Sequence, residues 1–120
     1  MPKSFKTLAL AAARAADDKQ GQDIALFHVS KQSPITDYML LVTANSRPHL
    51  ETLESEIENA LEAKGVRCLH RARPKSASWR VLDFGGLLIH LMTEESRTFY
   101  ALDKLYHESP RVRWHAKAAA

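Results

Sequence analysis

Residues Trp79 to Met92 read WRVLDFGGLLIHLM, and this stretch decides the fold. Two apolar, strand-like runs, WRVLDF and LLIHLM, are separated by only Gly85 and Gly86. A glycine pair accepts the positive φ angles that two-residue hairpin loops demand, so the stretch predicts a β-hairpin. The same letters admit another reading, in which Asp83-Phe84-Gly85 is the metal-binding triplet of a kinase. That reading needs a His-Arg-Asp loop upstream, a glycine-rich nucleotide loop and chain enough for two lobes. A chain of 120 residues with neither loop does not meet it.

Outward from the hairpin, the same rules place the remaining elements. Phe5, Leu8, Ala12 and Ala15 follow helical spacing, which predicts a first amphipathic helix over Phe5 to Lys19, ending near Gly21. In DIALFHVS, Ile24 and Leu26 alternate with Ala25, Phe27 and Val29, the pattern of a largely buried strand. Ser33 and Pro34 break it, and DYMLLVTA resumes as a second strand. Asn45 and Ser46 are good helix caps, and Pro48 suits the first turn after them. Leu50, Leu53, Ile57 and Leu61 then form an apolar stripe that Gly65 closes, with Glu51, Glu54, Glu56, Glu58 and Glu62 as its wet flank. VRCLH, residues 66–70, predicts a short third strand. After the hairpin, TEESRTFYALDKLYHE predicts one closing helix with Phe99, Leu102 and Tyr106 turned inward, stopped by Ser109 and Pro110. The order helix, strand, strand, helix, three strands, helix gives an α/β fold, a single domain whose mixed β-sheet has helices packed on it.

Size and composition fit such a domain. A chain this long can bury roughly two-thirds of the surface it exposes when unfolded, and 45% hydrophobic with 26% charged residues is ordinary for a globular protein. Cys68 is the single cysteine, which excludes an internal disulfide and a cysteine-rich zinc site and suits a reducing cytosol. The N-terminal MPKSFKTLALAAARAADDK imitates a signal peptide, but its apolar run from Leu8 to Ala13 is short and Arg14, Asp17 and Asp18 follow at once. No apolar stretch reaches membrane-spanning length, so a soluble, cytoplasmic protein without membrane association is expected. Beneath a net charge of +3, the distribution is uneven. No acid stands between Val66 and Leu82, where Arg67, Arg71, Arg73, Lys75 and Arg80 are basic. Arg111, Arg113 and Lys117 make residues 111–120 a basic tail, expected to be flexible, behind a domain of residues 1–110. Such separation suits a charged partner or simply solvated faces.

Catalytic motifs are sparse. The four glycines form neither a dinucleotide nor a P-loop pattern, and Asp23, Asp37 and Asp83 stand singly where two-metal transfer needs paired carboxylates. His28, His49, His70, His90, His107 and His115 lack zinc-protease spacing, while Cys68 with His70 offers two ligands where structural zinc takes four. His90, between Ile89 and Leu91, reads as a hydrogen-bonded structural histidine. No G-x-S-x-G elbow presents a serine nucleophile. These absences favour a binding protein over an enzyme, with no metal and no cofactor. Direct reading of RNA sequence would call for repeated aromatics among Arg and Lys, and only Trp79 qualifies, at the end of the basic loop. Docking on a ribonucleoprotein fits better.

Two segments, QDIALFHVSKQSPITDYMLLVTANSRPHLETL and WRVLDFGGLLIHLMTEESRTFYALDKLYHESP, preceded by the first helix, carry a further signal. Their ordered residues are Asp23, Val29-Ser30, Asp37-Tyr38, Asn45-Ser46, Trp79, Asp83, Gly85, His90 and Arg97-x-Phe99-Tyr100-x-Leu102. Together, over roughly residues 7 to 110, they resemble the ribosomal silencing factor family, also called the Iojap-like or RsfS family. The chain departs from that pattern at Gly86, where the family usually has an acidic residue, at RPKSAS, where a Glu-Gly pair usually precedes the tryptophan, and at Ala44, where glycine is usual. The resemblance implies a nucleotidyltransferase-like architecture without catalytic residues. It also implies a protein that binds the large ribosomal subunit through ribosomal protein uL14 and obstructs joining of the small subunit, so repressing translation, with a link to large-subunit biogenesis. Peripheral contact with ribosomal RNA and a homodimer of the free protein complete its partner expectations. The competing reading is a degenerate nucleotidyltransferase-like enzyme that still binds nucleotide.

Interface energy concentrates in aromatic and arginine anchors. The expected partner contacts are therefore Trp79, Asp83 and Phe84 from the hairpin and Arg97, Tyr100 and Asp103 from the following helix. Four of them have a structural alternative: Trp79 and Tyr100 as partly core, Asp83 as a cap on the turn, Arg97 as half of an ion pair with a nearby glutamate.

Overall fold

A computed structural model of the chain describes residues 4–71 and 77–114. Helix α1 (Phe5–Asp18) begins at Ser4, whose hydroxyl accepts from the Thr7 amide, and buries Leu8, Ala9, Ala12, Ala13 and Ala16. Four alanines in that set let a second helix approach closely. That helix, α2 (Arg47–Glu62), starts at the Ser46 cap with Pro48 in its first turn and buries Leu50, Leu53, Ile57 and Leu61, the stripe expected from its spacing.

Strands β1 (Gln22–His28), β2 (Tyr38–Ala44), β3 (His70–Arg71), β4 (Trp79–Asp83) and β5 (Leu87–Thr93) form one sheet in the order β1-β2-β5-β4-β3. The β2/β5 pair is parallel and the other three are antiparallel, so the sheet is mixed as expected. The β4–β5 hairpin closes through Gly85 and Gly86, with the Phe84 amide bonded to the Leu87 carbonyl. Of the two, only Gly85 takes a positive φ, 92°, a conformation that favours glycine. Gly86 is required for a different reason: a Cβ there would lie 2.4 Å from Phe5 Cδ2. Phe5 thus occupies the space in which family resemblance leads one to expect an acidic side chain.

The expected strand over 66–70 shrinks to His70–Arg71. Its register sets His70 opposite Asp83, the last residue of β4, so Val66 to Leu69 run past the end of the hairpin with little to pair with. Leu69 alone donates its amide to the Asp83 carbonyl. Of the basic loop, residues 72–76, which include Arg73 and Lys75, lie outside the described residues.

Pleating sorts each strand onto two faces. One face holds Leu26, Leu40, Val42, Leu82, Phe84, Leu87, Ile89 and Leu91 and is sealed by α1 and α2. Arg80 shares that face, 4% exposed, and bonds Glu54 at 2.6 Å and Glu51 at 3.3 Å. Glu54 is therefore buried, contrary to its expected place on a wet flank, because β4 directs Arg80 toward α2 and the pair must be buried together. Burial by itself would lower the Arg80 pKa, and the bonds to Glu51 and Glu54 outweigh it, leaving it raised.

The second face carries a smaller cluster of Ala25, Phe27, Val29, Met39 and Leu41, against which Leu102 and Tyr106 pack. The single closing helix is in fact two, α3 (Glu94–Tyr100) and α4 (Leu102–Leu105), divided at Ala101 with φ 52°. This break re-phases the helix faces. Leu102 and Tyr106 turn inward as expected, but Phe99, expected beside them, is 78% exposed. Arg111 to Trp114, expected to open a flexible tail, lie along β1. The Val112 amide donates to Leu26, the His28 amide donates to Pro110, the Arg111 guanidinium sits 5.5 Å from the Phe27 ring, and Arg14 Nε donates to the Trp114 carbonyl. Residues 115–120, with Lys117, lie outside the described residues.

Candidate partner-binding surface

The second face is incompletely covered on its β4/β5 half, where Val81, Asp83 and Leu88 remain half-buried. Trp79 and the aromatic end of α3 stand at the edge of this opening. The Trp79 and Tyr100 rings are 4.5 Å apart between centroids, and Phe99 meets Tyr100 edge-on at 5.0 Å. Such tilted and edge-to-face pairs are favourable arrangements of aromatic quadrupoles. Tyr100 is about half exposed and Phe99 more so, leaving a contiguous aromatic surface.

Its base is rigid. Trp79 Nε1 donates to His90 Nδ1 at 3.0 Å, a diagonal contact across the hairpin, since Trp79 is in register with Met92 and Val81 with His90. Burial holds the His90 pKa down at about 4, so the ring is neutral near pH 7. The reading of His90 as a hydrogen-bonded structural histidine therefore holds.

Arg97 fastens the turn between α3 and α4 to the sheet. It makes a bidentate pair with Asp103, Nε to Oδ1 at 3.0 Å and Nη2 to Oδ2 at 2.7 Å, and Nη1 donates both to Thr43 Oγ1 and to the Asp23 carbonyl. Asp23, at φ 47°, sits in the bulge where β1 shifts register. A bulge re-aims groups locally, here one carbonyl toward Arg97. The guanidinium bonds hold the Asp103 carboxyl below its usual range despite partial burial. A hollow of about 470 Å³ beside this cluster is faced by Arg97, Lys104 and Arg111 and also by Asp23, Glu94 and Asp103, charges of both signs.

The expected contact residues thus separate. Trp79 and Tyr100 come together at the surface. Phe84 does not join them: it is 2% exposed and faces α1 and α2. Strand parity explains this, because Phe84 shares a face with Leu82 and Arg80, whereas Trp79, Val81 and Asp83 point the other way. Asp83 Oδ1 accepts from the Gly85 amide at 2.8 Å, so it caps the turn. Arg97 is mostly buried and paired with Asp103, not with a glutamate. Phe99 was missed as a surface residue because helical spacing alone turned it inward; only the break at Ala101 exposes it. Cys68 and His70 meet differently than as metal ligands, the thiol donating to the His70 carbonyl at 3.2 Å while burial raises its pKa.

A family model described as ribosomal silencing factor during starvation matches residues 2–120. The chain belongs to the ribosomal silencing factor family. It is 35% identical over 102 residues to a ribosomal silencing factor RsfS of Treponema pallidum, covering 83% of this chain and 90% of that protein. The corresponding protein of Bacillus subtilis is 28% identical over 105 residues, 88% of this chain and 89% of the relative. A chloroplastic Iojap protein of Arabidopsis thaliana is 31% identical over 100 residues, 83% of this chain but 42% of the longer plant protein. In structure, the chain is similar to a crystal structure of a Chromobacterium violaceum protein, with TM-score 0.83 at 23% identity over 98% of this chain and 97% of the other, a likeness of fold. Among the described residues no helix is long and apolar enough to cross a membrane.

Proposed function

We propose that this ribosomal silencing factor family member represses translation in the cytoplasm by docking on the large ribosomal subunit through ribosomal protein uL14, where it blocks joining of the small subunit. Membership in the family supports a ribosome-associated silencing role. The observation that carries the docking reading is the aromatic surface of Trp79, Tyr100 and Phe99, set on a hydrogen-bonded base. Rigid aromatic anchors beside a half-open sheet face are what a standard interface of about 1,200 to 2,000 Å² concentrates its energy in. Occlusion needs only bulk. A body of 36 × 36 × 31 Å bound on the joining face leaves no room for two surfaces that must meet. The exposed Arg111 and Arg113, held along β1, are suited to peripheral phosphate contacts with ribosomal RNA.

Sedimentation with purified ribosomal subunits tests the reading. The expected result is that the protein travels with large subunits and lowers the fraction that reassociates into whole ribosomes. Failure to travel with large subunits, or reassociation unchanged in its presence, contradicts it.

A further inference from the structure

We infer that His90 is a positioning residue of the aromatic docking surface, its Nδ1 fixing the indole of Trp79 against which Tyr100 and Phe99 are presented. The inference rests on the docking surface proposed above.

An indole N–H donates and cannot accept. The 3.0 Å bond between Trp79 Nε1 and His90 Nδ1 therefore has one possible direction, and Nδ1 must be the unprotonated ring nitrogen. The acceptor stands on β5, which is bonded on both sides: His90 is in register with Leu41 of β2 and with Val81 of β4. A group on an interior strand is held more precisely than one on a loop. One edge of the indole is tied to that strand, while its ring meets Tyr100 at 4.5 Å. A tie at one edge and a ring contact at the other select a single orientation from the few that two side-chain torsions allow.

The residue type also points this way. His90 interrupts the otherwise apolar run LLIHLM, and a polar group there carries a desolvation penalty that an apolar residue would avoid. Its bond to Trp79 offsets that penalty, and its neutral state keeps the acceptor available near pH 7. Packing alone would be served by phenylalanine or leucine.

Two substitutions separate the acceptor from the shape. In His90→Asn, the amide oxygen takes nearly the place of Nδ1. In His90→Phe, a ring remains with no acceptor, and His90→Leu serves as a second acceptor-free variant should the phenylalanine disturb folding. The readouts are the indole proton–nitrogen resonance of Trp79 in the free protein, assigned by its loss in Trp79→Phe, and co-sedimentation with large subunits. His90→Asn is expected to keep a slowly exchanging indole proton and binding within about twofold of the parent. His90→Phe is expected to shift that resonance, speed its exchange and weaken binding about tenfold, the scale of one lost hydrogen bond at an anchor. An unshifted indole resonance in His90→Phe, unchanged binding by that variant, or an asparagine variant as defective as the phenylalanine one would each overturn the inference. If Trp79→Ala itself binds normally, the docking surface fails and the role of His90 in it fails too. If Trp79→Ala loses binding but His90→Phe does not, only the role of His90 falls.

Discussion

The two faces of the sheet solve different problems with similar residues. The face under α1 and α2 is closed: aliphatic side chains interdigitate, and Arg80 is buried there with Glu54. The opposite face is covered over β1 and β2 by Leu102 and Tyr106, buries His90 and Met92 of β5, and stays half-open at Val81, Asp83 and Leu88, ending at β4 in aromatic rings that remain partly in solvent. The closed face can contribute stability by burial. The open one has apolar area left for a partner, and its polar bonds, Trp79 to His90 and Arg97 to Asp103, orient groups at its margin. Substitutions on the first should change melting and those on the second should change binding.

The strongest challenge to that division is at Arg80. Arg80→Ala removes a partner at 2.6 Å from the buried Glu54 and is expected to destabilise by about 3–5 kcal/mol in chemical denaturation, the usual result of breaking a buried ion pair by deleting one side of it. A loss below 1 kcal/mol would mean the pair is solvated and the face is not closed. Ile57→Ala, at a fully buried site on α2, is expected to lose about 2–5 kcal/mol while the folded fraction still binds large subunits normally. Selective loss of binding by this variant would break the comparison.

On the open face, His90 makes stability depend on pH. Its folded pKa of about 4 lies below the 6.5 of an unfolded histidine, so between these values the unfolded chain binds more protons. Stability from this group is complete above pH 6.5 and falls by about 3 kcal/mol as pH drops to 4. Comparing denaturant unfolding of the parent and His90→Asn at pH 7 and pH 4 isolates it; equal pH dependence in the two proteins would contradict the burial of His90. At the hairpin, Gly86→Ala forces a Cβ toward Phe5 and is expected to destabilise by about 1–3 kcal/mol, an effect that should largely disappear in a Phe5→Ala background. Smallest of all, Phe99→Ala should leave stability within about 0.5 kcal/mol, because the side chain is mostly in water, yet weaken large-subunit binding several-fold.

Much of this was legible in the sequence. The hairpin around Gly85 and Gly86, both long helices and the mixed sheet follow from periodicity and turn chemistry, which are local. Parity along β4 was also available, since Phe84 and Arg80 differ in face from Trp79 and Asp83 by the alternation of a strand. What the sequence did not carry depends on distant partners. Ala101 is not a residue type that announces a left-handed break, and the turn there is held by Arg97 reaching Asp103, Thr43 and Asp23. Phe99 consequently read as core. Glu54 read as solvated because its partner arrives from β4, 26 residues away. That β3 begins only at His70 reflects where the hairpin ends, which VRCLH alone cannot encode.

The division between faces is tested most directly by co-sedimentation of the double variant Trp79→Ala, Tyr100→Ala with purified large ribosomal subunits, alongside its circular dichroism spectrum and cooperative melting. The expected result is a folded protein that no longer travels with large subunits, while Ile57→Ala, less stable but folded at low temperature, still does. A double variant that is folded and binds like the parent would place the docking surface elsewhere and contradict the account.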